Sequence, residues 1–406
     1  MRTTTATVIG GGQAGLAMSR CLTDRSIDHV VLERSEVANS WRTERWDSLR
    51  LLTPNWLSRL PGWEYQGTDP DGYMRARDVV DHLAAYARAS NAPVQTGVTV
   101  TSVQPGEEGH LVTADQGPIR SQAVVIASGA ASTPKIPALS EAVPSHIRQI
   151  APIHYRNPDE IEGPVLVVGA SASGAQLADE LARAGRDVTL AVGEHTRLPR
   201  TYRGMDIHWW MDGLGLLDDR YDEVEDIARA RRLPSLQLVG SPDRRTLDLN
   251  ALRASGVNLV GRLVGISGGN AQFSGSLANI AASADLKQGR LLDEIDRYAT
   301  ANGLDQELGP VDRPIATGLP IPRNTAPIDS FRTIVWATGF RPNYPWLDGS
   351  LLDRKGAIVH DGGVMAAPGM YALGLPFGRR RKSSFLDGVG PDATELSAHL
   401  VSHLAQ

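Results

Sequence analysis

The sequence predicts an α/β fold in which one three-layer unit is inserted into another. Two Gly-rich segments, residues 8–15 and 166–174, carry this prediction, because each follows an apolar stretch of strand length and precedes residues at helical spacing. A Gly-rich turn between a buried strand and a helix begins a Rossmann-like βαβ unit, and its backbone N–H groups face a pyrophosphate. The expected architecture is therefore two Rossmann-like three-layer ββα/βαβ domains that hold two dinucleotides, with electrons passing from one to the other.

The first Gly-rich segment has the full spacing of a dinucleotide-binding turn. It follows a predicted strand at 5–9, and a second predicted strand at 29–32 ends in Glu33. The Glu33 carboxylate can accept both hydroxyl protons of a ribose and repels a 2′-phosphate, which favours FAD or NAD at this site. The residues predicted to bind this cofactor are Gly10, Gly12, Gln13, Ala14, Gly15 and Glu33.

The second Gly-rich segment differs at one position. Ser171 stands where a middle glycine lets the backbone approach the pyrophosphate, and a serine is small and can donate its hydroxyl to a phosphate oxygen. Basic residues follow the predicted strand at 187–192 and favour the 2′-phosphate of NADPH, whereas Glu194 opposes it. The residues predicted to bind NADPH are Gly169, Ser171, Ser173, Gly174, His195, Arg197 and Arg200, with Arg203 in the same basic stretch.

Composition limits the classes of partner and of redox chemistry. The chain of 406 residues has a net charge of −5 and a pI near 6.1, so nucleic acid is not expected as a partner. The basic run at 379–382 is the exception, and it is either solvated surface or a binding patch. Cys21 is the only cysteine, so the chain has no dithiol redox centre, and a buried structural thiol is expected.

No pattern predicts a membrane-bound or metal-binding protein. The first strand begins almost at once, which leaves no room for a secretion signal, and no apolar stretch reaches the ~20 residues of a membrane helix. No histidine or cysteine group has the spacing of a metal site, and no Ser-His-Asp set can be assigned. We therefore expect a cytoplasmic protein that acts on a small molecule without a metal.

Strand ends and linkers divide the chain. Buried strands are predicted at 123–127 and 334–340, with Gly129 and Gly339 close to their ends, and an amphipathic helix is predicted at 392–404. The simplest arrangement inserts one nucleotide domain into the other. The predicted boundaries are 1–160 for the first part of the outer domain, 161–325 for the inserted domain and 326–406 for the completion of the outer domain.

Four further segments point to a family. They are Ser40-Trp41-Arg42, Tyr155-Arg156-Asn157-Pro158, Ala337-Thr338-Gly339, and residues 385–390 with Asp392. Together with the two Gly-rich turns, they resemble the class B flavin-dependent monooxygenases, a group of two-dinucleotide-binding-domain flavoproteins, over essentially the whole chain. The resemblance implies FAD in the discontinuous outer domain and NADPH in the inserted domain. It also implies that FAD is contacted by Arg34, Trp41, Arg42, Thr53, Gly129, Gly339, Gly388 and Asp392.

The resemblance implies a reaction as well. In the family, reduced flavin takes up dioxygen to give a C4a-(hydro)peroxide, which transfers one oxygen atom to a small organic substrate. Tyr155 stands where Baeyer–Villiger enzymes carry Trp-Pro, which favours N-, S- or C-oxygenation, and Ala151 occupies the place of the fingerprint histidine. The candidate catalytic residues are His154, Tyr155 and Asn55.

Other interpretations stay open. A flavoprotein reductase for an electron carrier shares both folds, and a non-catalytic regulator that uses FAD or NAD(H) as a signal is compatible with the substituted fingerprint. The oligomeric state stays open, with a homodimer as one option. The cluster at 205–211, with Trp209 and Trp210, either lines a substrate entrance or packs between domains.

Overall fold

The computed structural model describes residues 1–106, 109–130, 133–319, 321 and 323–405. Its α-helices are α1 (Gln13–Thr23), α2 (Asn39–Thr43), α3 (Ala76–Ala89), α4 (Ala172–Arg183), α5 (Ile207–Gly213), α6 (Ile227–Ala230), α7 (Leu249–Ala254), α8 (Leu277–Ala301) and α9 (Leu386–Leu404). Its strands are β1 (Arg2–Ile9), β2 (His29–Leu32), β3 (Val94–Gln95), β4 (Val100–Gln104), β5 (His110–Ala114), β6 (Gly117–Ile126), β7 (Thr133–Pro134), β8 (Arg148–Ile150), β9 (Val165–Val168), β10 (Val188–Ala191), β11 (Thr196–Arg197), β12 (Thr201–Tyr202), β13 (Met205–Asp206), β14 (Leu236–Gln237), β15 (Asn258–Val260), β16 (Leu263–Ser267), β17 (Asn270–Phe273), β18 (Thr325–Pro327), β19 (Thr333–Trp336), β20 (Phe340–Arg341), β21 (His360–Asp361), β22 (Val364–Met365) and β23 (Met370–Ala372).

The first sheet is parallel at its centre. β1 lies between β2 and β6, with all three strands in the same direction, so that Val8 pairs with Val31 on one side and Val125 on the other. β23 pairs in parallel with the far edge of β6, whereas β4 and β5 form an antiparallel hairpin beside it. The C-terminal part of the chain therefore completes the sheet with which the chain begins, as the sequence predicts.

Apolar side chains cover this sheet on both faces. One core contains residues of α1, α3 and α9, among them Leu16, Leu83 and Leu396, together with β1 residues such as Val8. A second core lies around Val112 of β5 and includes side chains of the segment between β20 and β22. Two such cores around one sheet give the three layers of a Rossmann-like unit.

The second sheet is wholly parallel, with the strand order β15, β10, β9, β19 and β8. Its central strand β9 pairs Val167 with Leu190 on one side and with Val335 on the other. The continuous apolar runs of these strands are typical of strands covered on both faces. Helices α4 and α7 contribute Leu177 and other side chains to one core, and the antiparallel β16–β18 sheet contributes Phe273 to the other.

Two strands of the second sheet lie outside the predicted 161–325 domain. β8 precedes that range and β19 follows it, yet both belong to the second sheet, with β19 placed between β9 and β8. The sheet therefore spans residues 148–336, and the predicted boundaries at 160 and 325 pass through it. An apolar pattern indicates a buried strand but not its hydrogen-bonded neighbour, which the tertiary structure decides.

The aromatic cluster at 205–211 is a packing element. Trp210 is fully buried, and its Nε1 donates to the Tyr202 carbonyl at 2.8 Å. It packs in one core with Leu292 and Ile295 of the long helix α8, and Trp209 contacts its ring edge-on. Of the two interpretations left open by the sequence, the structure favours packing.

The four side chains of the basic run at 379–382 form ion pairs with carboxylates of the same chain. Each of its four side chains forms an ion pair, either with a carboxylate of α9 or with an aspartate at 218–219. The partners are Glu395 for Arg379, Asp392 and Glu395 for Arg380, Asp219 for Arg381, and Asp387 and Asp218 for Lys382. The run is therefore a structural clamp rather than a free basic patch.

The single cysteine is buried. Cys21 is 3% exposed within α1, and burial raises the pKa of its thiol, so it is the buried structural thiol that the sequence predicts.

Within the part of the chain that the structure describes, no helix combines the length and the hydropathy needed to cross a bilayer.

Candidate functional site

The first Gly-rich turn packs so tightly that side chains are excluded from it. Gly10 has φ +113°, and a Cβ atom there would lie 2.5 Å from the Ala127 carbonyl oxygen at the end of β6. A Cβ atom on Gly15 would overlap the Gly10 carbonyl oxygen. Gly12 is different, because a Cβ atom there would meet no atom within 4 Å. Gly10 and Gly15 are therefore required by the fold, whereas Gly12 borders open space at the start of α1.

The start of α1 offers free N–H groups to that open space. Gly12 has no side chain with which to cap the helix, and among the described residues no side chain accepts from the first-turn N–H groups of Gln13 and Ala14. Free N–H groups and the positive end of the helix dipole suit a pyrophosphate. The omission of the usual capping side chain fits a ligand in its place.

Glu33 lies beside this turn at the end of β2. Its Oε2 accepts from the Gly11 N–H at 2.7 Å and its Oε1 accepts from the Ser35 N–H at 3.0 Å, and the residue is buried. These two bonds fix the carboxylate and leave each oxygen a lone pair for a ribose hydroxyl. The geometry suits the role predicted for Glu33.

The C-terminal segment closes over the same turn. A Cβ atom on Gly374 would lie 2.8 Å from the Ala14 side chain, and Gln13 donates to the Ser384 carbonyl at 3.4 Å. From the other side, Trp41 Nε1 donates to Gln13 Oε1 at 3.3 Å. Trp41, predicted as a cofactor contact, thus lies beside the Gly-rich turn.

The second Gly-rich turn has nearly the same backbone geometry as the first. Gly169 has φ +106°, and Cβ atoms on Gly169 and Gly174 would overlap backbone carbonyl oxygens, as in the first turn. Ser171 has φ −75° and ψ −173°, against −86° and −173° for Gly12, and no side chain caps α4. Serine fits because this backbone conformation is open to any residue, and its hydroxyl adds a donor.

Both turns therefore fit a dinucleotide by the same geometric test. At both turns, tight glycines shape the backbone and the helix begins without a bond from the side chain of its N-cap residue, and at Gly12 no described side chain fills the space in front. For FAD, the holding groups would be the α1 N-terminus and Glu33. For a nicotinamide dinucleotide, they would be the α4 N-terminus with Ser171 and Ser173.

A cleft lies between the two folds. It encloses about 220 Å³ and is lined from the first fold by the segment 41–52, from the second by the start of α4, and from the connecting segments by three further residues. Its lining residues are Trp41, Glu44, Arg45, Trp46, Leu49, Arg50, Leu51, Leu52, Pro152, Ile153, Ala172, Ser173, Gln176 and Phe340. Most of the wall is apolar. Ser173, a predicted cofactor contact, is part of it.

The linker before β9 holds the two folds together at this cleft. Arg156 donates to the carbonyl oxygens of Thr43 and Arg45, the latter at 2.6 Å. Asn157 Nδ2 donates to Asp47 at 2.9 Å, and the Asp47 N–H donates to the Arg156 carbonyl at 2.9 Å. The Tyr155–Pro158 motif thus fixes the segment that forms one wall of the cleft.

The three candidate catalytic residues do not converge on the cleft. His154 is exposed at the end of a short 3₁₀ helix, Pro152–His154, whose other two residues line the wall. Tyr155 is fully buried beside Glu180, and burial raises the pKa of both groups. The amide of Asn55 is used locally: it donates to the Asp69 carbonyl at 2.8 Å and accepts from the Met74 N–H at 2.7 Å.

The arginines predicted to bind the 2′-phosphate form ion pairs with aspartates inside the fold. Arg197 is 2% exposed and bonds to Asp248 at 2.7 Å and Asp285 at 2.6 Å. Arg200 is fully buried, bonds to Asp206 at 2.7 Å and donates to the Leu52 carbonyl.

Two neighbouring basic residues, Arg203 and His195, also have partners inside the fold. Arg203 pairs with Asp305 at 2.9 Å. His195 is buried with its Nδ1 3.0 Å from the Gly193 carbonyl, and burial lowers its pKa, which favours the neutral ring. The prediction that Arg197 and Arg200 read a phosphate is therefore wrong, because their charges are neutralised inside the fold.

Several residues implied by the resemblance also have other partners. Arg34 and Arg42 are exposed and form ion pairs with Glu44 at 3.4 Å and Glu36 at 3.2 Å. Asp392 is 2% exposed and accepts from Ser383 and Arg380, and a Cβ atom on Gly388 would overlap the Lys382 carbonyl. Gly388 and Asp392 thus lie in the first two turns of α9 and pack against residues 380–383. Gly129 and Gly339 have positive φ, and a Cβ atom on either would meet no described atom within 4 Å. Thr53 is half-buried and directly follows Leu52 of the cleft wall.

The proteins that resemble this chain in sequence include oxidoreductases. The family model described as pyridine nucleotide-disulphide oxidoreductase matches residues 7–206. An oxidoreductase named CzcO-like from Geobacillus kaustophilus is 31% identical over 98% of this chain and 98% of its own length.

The chain belongs to the pyridine nucleotide-disulphide oxidoreductase family. It is a flavin-dependent oxidoreductase, and the family binds FAD and NAD(P)H. The flavin-containing monooxygenase of Stenotrophomonas maltophilia has the same fold, with a TM-score of 0.69 and 22% identity over 100% of both chains. The indole-3-pyruvate monooxygenase YUCCA4 of Oryza sativa subsp. japonica is 26% identical over 98% of this chain and 88% of its own length. The recognition of a two-dinucleotide flavoprotein from the sequence is confirmed.

Arg45, Arg50 and Phe340 are cleft residues that the sequence did not single out. Arg45 and Arg50 follow the Trp41-Arg42 segment within eight positions, and Phe340 directly follows the Ala-Thr-Gly strand end. No local pattern marks them, because the cleft exists only where the two folds meet.

Proposed function

We propose that the protein is an FAD-dependent, NADPH-using monooxygenase that transfers one oxygen atom from dioxygen to a small organic substrate by N-, S- or C-oxygenation. The observation that carries the proposal is the apolar cleft bordered at once by the Trp41 segment of the FAD fold and by the start of α4 in the nicotinamide fold. Such a cleft lets a reduced flavin and a substrate meet away from water.

The chain's own residues have separable parts in this function. The N-terminus of α1 and Glu33 bind and orient FAD, which supplies the oxygen chemistry when it is bound. Trp41, Trp46 and Phe340 exclude water from the cleft. The linker arginine Arg156 holds the cleft wall in place through two carbonyl oxygens.

The monooxygenase is favoured over a thiol-based reductase by the state of Cys21. Disulfide exchange needs an accessible thiolate, whereas this thiol is 3% exposed and its pKa is raised by burial. The relatives named as monooxygenases, of which YUCCA4 covers nearly the whole chain, support the same assignment.

NADPH selection needs a residue other than Arg197 and Arg200. A Cβ atom on Gly193, directly after the second strand of the nicotinamide fold, would lie 3.6 Å from Arg262 Nε. Arg262 is exposed, and no ion pair to it is found among the described residues. Arg262 is therefore the proposed partner of the 2′-phosphate, with the exposed Glu194 beside it lowering the preference.

Rapid mixing of the NADPH-reduced protein with dioxygen tests the proposal. A monooxygenase should lose the reduced flavin spectrum first and regain the oxidised spectrum in a separate, slower phase. A direct single-phase return of the oxidised spectrum would indicate a reductase or an oxidase. A protein that contains FAD but is reduced by neither NADPH nor NADH would be a regulator.

A further inference from the structure

Gly240 of the second fold lies directly against the wall of the cleft. A Cβ atom on Gly240 would lie 2.1 Å from the Leu51 carbonyl oxygen and 2.9 Å from the Cβ atoms of Arg50 and Tyr73. The φ angle of Gly240 is not positive, so the lack of space, and not the backbone conformation, requires glycine here. Arg50 and Leu51 both line the cleft, and a side chain at position 240 would therefore displace its wall.

Gly240 ends a segment, residues 237–240, that is bonded to the second Gly-rich turn. Gln237 is fully buried, and its Nε2 donates to the carbonyl oxygen of Ala170 in that turn at 2.6 Å. Gln176 of α4 donates from its Nε2 to the Leu238 carbonyl at 2.8 Å. A buried polar group that loses its partner costs about 1–3 kcal/mol, so the two amides fix the 237–240 segment to the turn and to α4.

The cleft wall opposite Gly240 is held in place by the first fold. The Leu51 N–H donates to the Met74 carbonyl at 2.9 Å, and the Ala76 N–H donates to the Leu49 carbonyl at 2.9 Å. Leu49 and Leu51 both line the cleft. The wall therefore cannot move away from Gly240 without straining its backbone hydrogen bonds to the start of α3.

Side-chain bonds join the two folds beside the Gly240 contact. Arg200 of the second fold donates to the Leu52 carbonyl of the cleft wall at 2.8 Å and bonds to Asp206 at 2.7 Å. The Tyr73 hydroxyl of the first fold donates to the other oxygen of Asp206 at 2.6 Å. The Arg200 guanidinium also lies 4.8 Å from the centroid of the Tyr73 ring. The two folds are thus bonded to each other where Gly240 meets the wall.

We propose that Gly240 is a positioning residue that sets how closely the nicotinamide site approaches the flavin side of the cleft. This role rests on the proposed function, because it belongs to the hydride transfer from NADPH to FAD. In that step a hydride leaves the reduced nicotinamide, which becomes NADP⁺, and FAD gains its two electrons and one proton to become FADH⁻.

The contact distance gives the size of the expected effect. A Cβ atom is essentially never found within 3.0 Å of a backbone oxygen, so alanine at position 240 would force the two backbones apart by roughly 1 Å. A displacement of that size between reacting groups lowers a rate by up to about 100-fold, because their alignment supplies part of the rate. The affinity for the dinucleotide should change little, since the start of α4, with Ser171 and Ser173, lies on one side of the contact.

Anaerobic rapid mixing and binding titrations separate positioning from binding and from stability. The variants are Gly240→Ala and Tyr73→Phe, which removes the bond to Asp206 without adding a side chain. Gly109→Ala is the matched control, because φ at Gly109 is +100° and its Cβ atom would lie 2.7 Å from the Ser121 carbonyl oxygen, inside the first fold. Flavin content and thermal midpoint verify that each variant is folded.

Four quantities are measured for each protein. Two are rates: the limiting rate of flavin reduction by saturating NADPH and the rate of reduction by dithionite, which needs no nicotinamide site. Two concern the oxidised protein without turnover: the calorimetric Kd of NADP⁺, and the change that saturating NADP⁺ causes in the flavin absorbance.

Gly240→Ala should lower the limiting rate of reduction by NADPH at least tenfold, with the Kd of NADP⁺ within threefold and the dithionite rate within twofold of the parent. The flavin absorbance change caused by NADP⁺ should shrink by at least half. Tyr73→Phe should lower the limiting rate at least threefold by loosening the same contact. Gly109→Ala should lose thermal stability and keep the parent rate.

A parent-like reduction rate and flavin spectrum in Gly240→Ala, or in Tyr73→Phe where Gly240→Ala does not fold, would overturn the positioning role. A loss of rate explained by weaker NADP⁺ binding alone, or an equal loss in Gly109→Ala, would overturn it too. Dioxygen takes no part, so a parent that NADPH reduces but that oxygenates nothing would refute the monooxygenase and leave these results intact. A parent reduced by neither NADPH nor NADH would refute the proposed function and this role together.

Discussion

Replacing Gly12 with valine should remove the flavin and leave the fold intact. The backbone at Gly12 has φ −86° and ψ −173°, a conformation open to valine, and a Cβ atom there would meet no protein atom within 4 Å. The cost to the free energy of unfolding of the apoprotein should therefore stay below about 1 kcal/mol. The added side chain would project into the proposed pyrophosphate space, so the flavin content should fall to less than a tenth of the parent value.

Gly10→Ala provides the contrast. Its φ of +113° is strained for alanine, which costs about 1–3 kcal/mol. Its Cβ atom would lie 2.5 Å from the Ala127 carbonyl oxygen, so the backbone must move, at a further cost of about 1–3 kcal/mol.

The assay compares the flavin-to-protein absorbance ratio with the thermal midpoints of the apoproteins, because bound FAD itself stabilises the fold. We expect Gly10→Ala to lower the midpoint by about 2–7 °C and Gly12→Val to change it little. A Gly12→Val protein that retains full flavin, or one destabilised as much as Gly10→Ala, would refute the assignment of the open space to the cofactor.

Three more outcomes follow from the partners seen in the structure. Arg262→Ala should reduce the preference for NADPH over NADH in flavin reduction by at least tenfold. Arg197→Ala should leave that preference unchanged but destabilise the protein by about 3–5 kcal/mol, because two aspartates lose a buried partner. The reverse pattern would restore the prediction that Arg197 binds the 2′-phosphate. His154→Ala should leave the rate of flavin reduction and the peroxide yield in air within twofold of the parent, since the side chain is exposed, and a larger change would show that the loop contacts a ligand. The neighbouring arginines lower the pKa of Glu395 to about 2, so its contribution to stability is present above the ordinary glutamate pKa near 4.5 and is lost as the pH falls from there towards 2. Glu395→Gln should therefore be less stable than the parent at neutral pH and show a shallower loss of stability in that acid range, as measured by urea unfolding; parallel pH profiles of the two proteins would contradict this.

The sequence by itself determined the features that depend on a few neighbouring residues. The turns at Gly10 and Gly169 were predictable because strand, glycine spacing and helix are consecutive, and Glu33 was predictable because it follows its strand directly. The buried thiol of Cys21 followed from its apolar helix. The resemblance to a two-dinucleotide flavoprotein, carried by such local motifs, was confirmed by the family match.

Tertiary structure decided everything that depends on distant partners. Arg197 has the composition and position of a phosphate ligand, but its aspartates lie 51 and 88 residues further along the chain, and only folding brings them together. The same holds for the pairing of β8 and β19 across the predicted boundaries. Arg45 is the converse case: the sequence does not distinguish it from other arginines, but the fold places it in the cleft wall, half-buried and without an ion pair among the described residues. Charge pairing and strand neighbours are properties of the three-dimensional arrangement, since Coulomb energy and hydrogen bonding depend on distance in space and not on distance along the chain.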